Sequence, residues 1–297
     1  MRTIPEIFAE ADKPVVSFEF FPPKTPKGES DLLETARALA RWEPGFFSVT
    51  YGAGGSNRDT AARMVLGIQR AVEIPVTAHI TGVAHTKAEI DEVVSYLRAG
   101  GIVNLLALRG DAPKDAPVAS PEARRAAGGF AYAEDLLRHL RARSDCARGT
   151  VGIAVAGYPE KHPEAASYEA GLDHLASKVA AGADLVLTQL FFDVGGFLRF
   201  RDDVRRAGVR VPIVPGILPI TNAAQVRRFT SLCGAKIPAW LSARLDAVGE
   251  DATAAFDLGV EVGTKMLKEL FAAGVPGVHF YTLNKSASVD GILSNLR

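Results

Sequence analysis

An alternation repeated eight times constrains this chain more than any other feature. A short apolar run is followed each time by a stretch of helical period, and nearly every run ends in polar residues that a buried strand should not contain. The runs are residues 15–20, 46–50, 76–80, 103–108, 152–156, 184–189, 213–215 and 278–281. At their C-terminal ends stand Glu19, Thr50, His79, Arg109 with Asp111, Tyr158, Gln189, Gly216 and Tyr281. Strands alternating with helices build parallel sheets, and a closed α/β sheet of this kind, a (β/α)8 TIM barrel with extra helices, gathers all these polar ends onto one face. Active sites of such barrels lie on that face.

The 297 residues suit a single barrel domain over 1–297, since such barrels take about 250 residues plus insertions. Lys plus Arg (34) balance Asp plus Glu (34), so no overall field would recruit nucleic acid or an anionic membrane surface, and a small molecule is the expected partner. Cys146 and Cys233 form no CxxC or Cys/His zinc pattern, which points to a reduced cytoplasmic protein without a metal. The N-terminus lacks the basic start and apolar stretch of a signal peptide, and no run approaches the roughly 20 apolar residues of a membrane span.

Apolar periodicity and stop signals place helices over 30–39, 58–72, 87–99, 132–143, 167–181, 194–207, 223–233 and 253–273. Residues 111–129 read as one long loop, of the kind that covers or contacts ligands, and 234–252 as a helical insert. The rival architecture, an open doubly wound sheet binding a dinucleotide, rests on Gly52, Gly54 and Gly55 after the second run, where the third glycine of the phosphate loop is missing.

Among the polar ends, Glu19 interrupts a wholly apolar run. Burial without a matched cation raises a carboxyl pKa, which makes Glu19 a general-acid candidate; the competing reading is an ion pair with Arg109. Gly110 between Arg109 and Asp111 lets the backbone approach a flat ligand, and the Asp111 carboxylate matches two adjacent ring N–H donors, although such a triplet is also a common turn. Gln189, Tyr281 and Thr50 each read either as ligand contacts or as satisfied core groups. Of the six histidines, only His79 and His162 fall at strand ends, and no pair has metal-ligand spacing.

Seven motifs in chain order then make the chain closely resemble methylenetetrahydrofolate reductase, nearly end to end. They are Ser17-Phe-Glu-Phe-Phe-Pro-Pro-Lys24, Ser48-Val-Thr-Tyr-Gly52, Ala107-Leu-Arg-Gly-Asp111, Gly157-Tyr-Pro-Glu-Lys-His-Pro-Glu-Ala165, Thr188-Gln-Leu-Phe-Phe192, Val214-Pro-Gly-Ile-Leu-Pro219 and His279-Phe-Tyr-Thr-Leu-Asn284. The resemblance implies a barrel holding FAD noncovalently on its C-terminal face. NADH or NADPH would reduce the flavin, which then passes hydride to 5,10-methylenetetrahydrofolate and yields 5-methyltetrahydrofolate for methionine synthesis. It further implies that Glu19 protonates the folate as its five-membered ring opens and that Asp111 binds the pterin edge near the flavin. Gln189, Phe229, Tyr281 and Lys285 would contact substrate. Thr50, His79, Arg109, Gly110, Tyr132, Ala133, Ala156, Tyr158, His162, His174 and Lys178 would join Asp111 in holding the cofactor. Without the resemblance, Phe229 reads as a helix core residue. A homo-oligomer is compatible with the family, and a chain ending at Arg297 leaves no room for an S-adenosylmethionine-sensing domain.

Three positions depart from the family pattern. Gly171 stands where an aspartate helps hold FAD, and Glu169 and Asp173 lie roughly 200° around the helix from it. Ser177 replaces an arginine found in some bacterial members. Lys285 replaces a common arginine, keeping the charge but losing the bidentate fork. Two alternatives therefore stand beside the flavin reading: a flavin-free reductase on the same barrel, and a non-catalytic folate-binding barrel.

Overall fold

The computed structural model describes residues 1–51, 58–111 and 120–297. Eight parallel strands close in sequence order: β1 (Val15–Phe20), β2 (Phe46–Val49), β3 (Val76–Thr81), β4 (Asn104–Leu108), β5 (Gly152–Gly157), β6 (Leu185–Leu190), β7 (Ile213–Ile217) and β8 (Gly277–Tyr281). The seam pairs β1 with β8 from Val15 opposite Gly277 to Glu19 opposite Tyr281. The (β/α)8 barrel expected from the alternation is the observed fold. The glycines behind the open-sheet alternative lie outside the described residues.

Each strand splits its side chains by the period of two. Phe18, Phe20, Phe47, Val49, Ala78, Ile80 and Phe280 join the outer core beneath the helices. Val15, Phe46, Leu106, Ala154, Leu185, Leu187 and Val214 fill the barrel itself. Phe18 packs 5.9 Å from the Phe47 ring on β2 and 5.9 Å from the Phe280 ring across the seam, and truncating it to alanine should cost about 3–5 kcal/mol.

The outer ring comprises α2 (Pro26–Ala40), α3 (Arg58–Val72), α4 (Lys87–Ala99), α6 (Ala133–Ala142), α7 (Tyr168–Ala180), α8 (Val194–Arg206), α9 (Ala223–Cys233) and α11 (Ala252–Ala272), with α10 (Ala239–Val248) forming the helical insert. Helix α4 begins with a capping box: the Glu89 N–H donates to Thr86 Oγ1, and the Thr86 N–H donates to the Glu89 carboxylate. Helix α2 starts earlier than its apolar stripe indicates, because Thr25 caps it and Pro26 opens it. Three short helices were not expected: α1 (Ile4–Ala9), α5 (Pro121–Ala126) and α12 (Ala287–Ser294). The segment read as one loop over 111–129 thus contains a helix, capped by the Ser120 hydroxyl; residues 112–119 lie outside the described residues.

Helix α1 closes the N-terminal mouth of the barrel. Ile4 and Ile7 enter the interior cluster, and Asn104 accepts from the Ile4 N–H at 2.7 Å and donates to the Arg2 carbonyl at 3.0 Å. Gly152 makes room for this contact, since a Cβ there would lie 2.6 Å from Asn104 Oδ1. The opposite mouth has no such plug among the described residues.

Candidate active site

Glu19 shares strand parity with Val15 and Ser17, so its carboxyl is directed by the pleat into the C-terminal mouth, where it is only 6% exposed. Three groups meet Oε2. His279 Nε2 lies at 3.3 Å, Ser48 Oγ at 3.4 Å, and His79 Nε2 at 3.3 Å as an ion-pair contact without hydrogen-bond alignment. Burial pushes the carboxyl pKa up, but the positive charge available on His79 and the His279 hydrogen bond outweigh it, holding Glu19 down at about 2. This overturns the expectation of a raised pKa. Nor does Glu19 pair with Arg109, whose guanidinium is forked onto Glu164 with Nη2 to Oε1 at 2.8 Å.

The backbone of Glu19 is also held. Thr282 Oγ1 donates to its carbonyl at 2.6 Å, and Asn284 makes both amide contacts to Phe21, accepting from its N–H and donating to its carbonyl at 2.8 Å each. Leu283 and Asn284 take left-handed φ values of 52° and 59° to make this turn. Sequence reasoning missed His279, Ser48, Thr282 and Asn284. His279 is internal to β8, and its only signal was an inward-facing polar residue two positions before Tyr281.

Beside this cluster the β6–β7 register shifts between Leu187 and Leu190. Such an irregularity re-aims the side chains around it. Tyr281 Oη donates to the freed Thr188 carbonyl at 2.6 Å, and Thr188 Oγ1 accepts from the Gly216 N–H at 3.0 Å. Gly216 is internal to β7 and is required there: a Cβ would lie 2.1 Å from the Thr188 oxygen and 2.6 Å from Tyr281 Oη. Burial and the Glu19 charge push the Tyr281 phenol well up, so it acts as a neutral donor. Gln189 lines a cleft with Tyr158, Cys233 and Gly234, its Oε1 accepting from the Leu190 N–H at 2.8 Å. Phe229 packs half-buried on α9, consistent with its reading as a helix core residue, and Lys285 is exposed beyond the Thr282–Asn284 turn.

A second group gathers at the ends of β4 and β5. Gly110, at φ +83°, turns the chain where a Cβ would lie 2.7 Å from Val83, and brings exposed Asp111 near Arg109 and Tyr158. Burial, then the Asp111 charge, pushes the Tyr158 phenol up to about 12 against the opposing pull of Arg109. The His162 ring meets Tyr158 edge-on with centroids 4.5 Å apart, and burial and Arg109 push its pKa down. Thr50 leaves β2 just past its end and donates its N–H to the Phe20 carbonyl.

The third group lies between α6 and α7. Lys178 donates to the Ala156 carbonyl, and burial holds its ammonium down at about 8, with only the Glu134 charge in opposition. Exposed His174 is one turn earlier on α7, and exposed Tyr132 with Ala133 opens α6 nearby. Ser177 donates to Glu134 at 2.7 Å, and a Cβ at Gly171 would meet nothing within 4 Å. Among the described residues no group of three or more His, Cys, Asp or Glu side chains could hold a metal, and no helix is long and apolar enough to cross a membrane.

A sequence profile of the family described as methylenetetrahydrofolate reductase matches residues 4–297. A rice protein (Oryza sativa subsp. japonica) named probable methylenetetrahydrofolate reductase (NADH) is 40% identical over 97% of this chain and 49% of its own length. The Escherichia coli K12 protein named 5,10-methylenetetrahydrofolate reductase is 39% identical over 91% of this chain and 86% of its own. The chain thus spans about half the length of the plant relatives it matches. Among solved structures, a Clostridium thermocellum protein described as binding two copies of 5-methyl-5,6,7,8-tetrahydrofolic acid superposes with a TM-score of 0.65 at 14% identity, over 97% of this chain and 95% of that one. At that identity the likeness speaks to the barrel.

Proposed function

The chain belongs to the methylenetetrahydrofolate reductase family, and from that premise we propose that it reduces 5,10-methylenetetrahydrofolate to 5-methyltetrahydrofolate, with NADH or NADPH as donor and FAD as carrier. The observation that carries this reading is Glu19: one acid, buried in the C-terminal mouth and flanked by imidazoles, where a folate ring would enter. Opening the substrate's five-membered ring requires a proton on the leaving amine nitrogen, and in this reading Glu19 delivers it. Tyr281, as a neutral phenol, orients the ring beside Glu19, Asp111 accepts from the pterin N–H edge, and Gln189 and Phe229 bound the substrate on the β6–α9 side. Lys285 meets the exposed end of the substrate.

Features of the mouth fit a bound dinucleotide. Lys178 has no carboxylate of its own and would hold the pyrophosphate with His174 and the start of α6 at Tyr132 and Ala133. Of the three polar atoms buried along β3 that make no hydrogen bond, Thr77 Oγ1, His79 Nε2 and Thr81 Oγ1, the last lies at the mouth, where a polar ring edge would meet it. Thr50, Arg109, Gly110, Ala156, Tyr158 and His162 would line the remainder. FAD, when bound, supplies the two-electron step between nicotinamide and the one-carbon unit. Gly171 favours one alternative, a direct transfer from NAD(P)H to folate, because the open space beside it lacks the carboxylate its position could carry.

Visible absorption of the purified protein, followed anaerobically with NADH and then NADPH, tests both readings: flavin bands that bleach support the carrier, and a colourless protein that takes up no added FAD supports direct transfer. For Glu19→Gln, NAD(P)H should still reduce the flavin while methylenetetrahydrofolate turnover falls roughly 10²- to 10⁴-fold. Normal folate reduction by that variant would remove Glu19 from the role.

A further inference from the structure

Resting on the reading above, we propose that Glu19 does not hold its transferable proton alone: His279, fixed by Ser17, is a positioning residue that shares it, so that the proton is stored between Glu19 Oε2 and His279 Nε2.

His279 is fully buried, with Nδ1 2.8 Å from Ser17 Oγ and Nε2 3.3 Å from Glu19 Oε2 and 3.4 Å from Ser48 Oγ. Ser17 has a single hydroxyl hydrogen, and its oxygen also lies 3.2 Å from the Val278 carbonyl, which can only accept. With that hydrogen given to Val278, the Ser17 lone pair faces Nδ1 and accepts from it, so Nδ1 carries a proton. In the proton-loaded pair, Nε2 then either bears a second proton against a carboxylate or is bare against a carboxylic acid. These two forms differ only in where one proton sits along a 3.3 Å line.

Ring packing holds the imidazole in this plane. Phe46 stacks on it at 5.9 Å and 18°, and Tyr281 meets it edge-on at 5.5 Å and 88°. The titratable groups facing the pair are His79 from β3 and Tyr281 from β8. His79 Nε2 lies equally near Oε2, at 3.3 Å, but of the two imidazoles it is His279 whose contact has hydrogen-bond geometry. A carboxyl held at about 2 would stand unloaded at neutral pH; a partner that keeps the proton within reach removes that difficulty.

The step balances. The Nε2–H bond breaks as Oε2–H forms; Oε2–H then breaks as the substrate amine gains its N–H and its C–N bond opens. This leaves a carboxylate and a neutral imidazole. One solvent proton reloads the pair after product leaves, matching the one proton that the net reduction consumes beside its hydride.

Two measurements decide the proposal. In ligand-free protein, ¹⁵N-histidine NMR, with the His279 signals identified by their loss in His279→Gln, should show Nδ1 protonated at neutral pH; a bare Nδ1 overturns the assignment. In the FAD-loaded enzyme, His279→Gln should slow the folate half-reaction by roughly tenfold or more and flatten its pH profile, leaving flavin reduction by NADH within about twofold. Ser17→Ala, which keeps the imidazole and removes only its acceptor, should produce a smaller loss with a displaced profile. It decides the matter if His279→Gln does not fold. Wild-type folate rates and pH profiles in the soluble variants would overturn the proposal. A wild-type protein that reduces no folate would instead refute the proposed function, and the NMR result would still stand or fall on its own.

Discussion

The two mouths of this barrel are built from the same strands but are finished in opposite ways. At the N-terminal mouth, α1 covers an apolar interior, and buried Asn104 has both ends of its amide satisfied, although the Thr77 hydroxyl opposite it makes no hydrogen bond. At the C-terminal mouth, a few residues along the same strands, a carboxyl is buried between the imidazoles of His79 and His279, and Thr81 Oγ1 is left without a hydrogen-bond partner. Unpartnered buried polar atoms cost about 1–3 kcal/mol each, so the chain holds this end open at the expense of stability that the other end supplies. The barrel separates what holds it together from what reacts along the length of each strand.

The strongest way to break the comparison is at the corner where the two requirements meet. Gly216→Ala forces a Cβ to within 2.1 Å of the Thr188 oxygen, a backbone atom of the neighbouring strand, and into the Tyr281 hydroxyl. Loss of about 3 kcal/mol or more is expected in urea unfolding, together with loss of folate turnover. A variant that keeps both would show that the shifted β6–β7 register has little role. Asn104→Ala probes the sealed mouth alone: it leaves the Ile4 N–H unpaired and should cost about 1–3 kcal/mol, while kcat/KM for folate stays at the wild-type value. Turnover falling in step with stability would end the claimed separation.

The smallest effect is electrostatic. Because burial lowers the folded pKa of Lys178 to about 8 from its ordinary 10.5, the unfolded chain binds the extra proton between those values. Stability of the ligand-free protein should therefore rise with pH across that window, the destabilisation being fully present below pH 8. Thermal midpoints between pH 7.5 and 10 should show the rise, and Lys178→Met should flatten it. Bound FAD should also suppress it, by giving the ammonium an anionic partner; a rise unchanged by FAD would place the pyrophosphate elsewhere.

Most of the scaffold was legible because its signals are local. Helices α3, α4 and α9 have the bounds that periodicity gives them, with Thr86 and Gly234 marking a start and a stop. The environment of Glu19 was not legible, because it depends on ring closure. The residue opposite Glu19 is Tyr281, and its hydrogen-bond partner His279 is 260 positions away in sequence. Arg109 looked like a partner by charge, yet Glu164 on the loop after β5 reaches it first. Composition suggests that a buried carboxyl needs a cation, but it does not show which strand supplies one. The roles of Phe229, His174 and Lys285 rest on family resemblance, since their surroundings show only packing or exposure.

The turn from Thr282 to Asn284 also bears on timing. It fastens the loop after β1 to the chain leaving β8, across 263 positions of sequence. Contacts between parts so far apart are among the last to form in folding, and during synthesis the later partner leaves the ribosome long after the first. Until β8 docks, Glu19 has neither His279 nor Thr282, and of the groups that meet its carboxyl it can find only Ser48 and His79. A nascent or clipped chain can therefore present the first seven strands with Glu19 still lacking two of its contacts, and the proposed acid is assembled only by the contact that completes the ring.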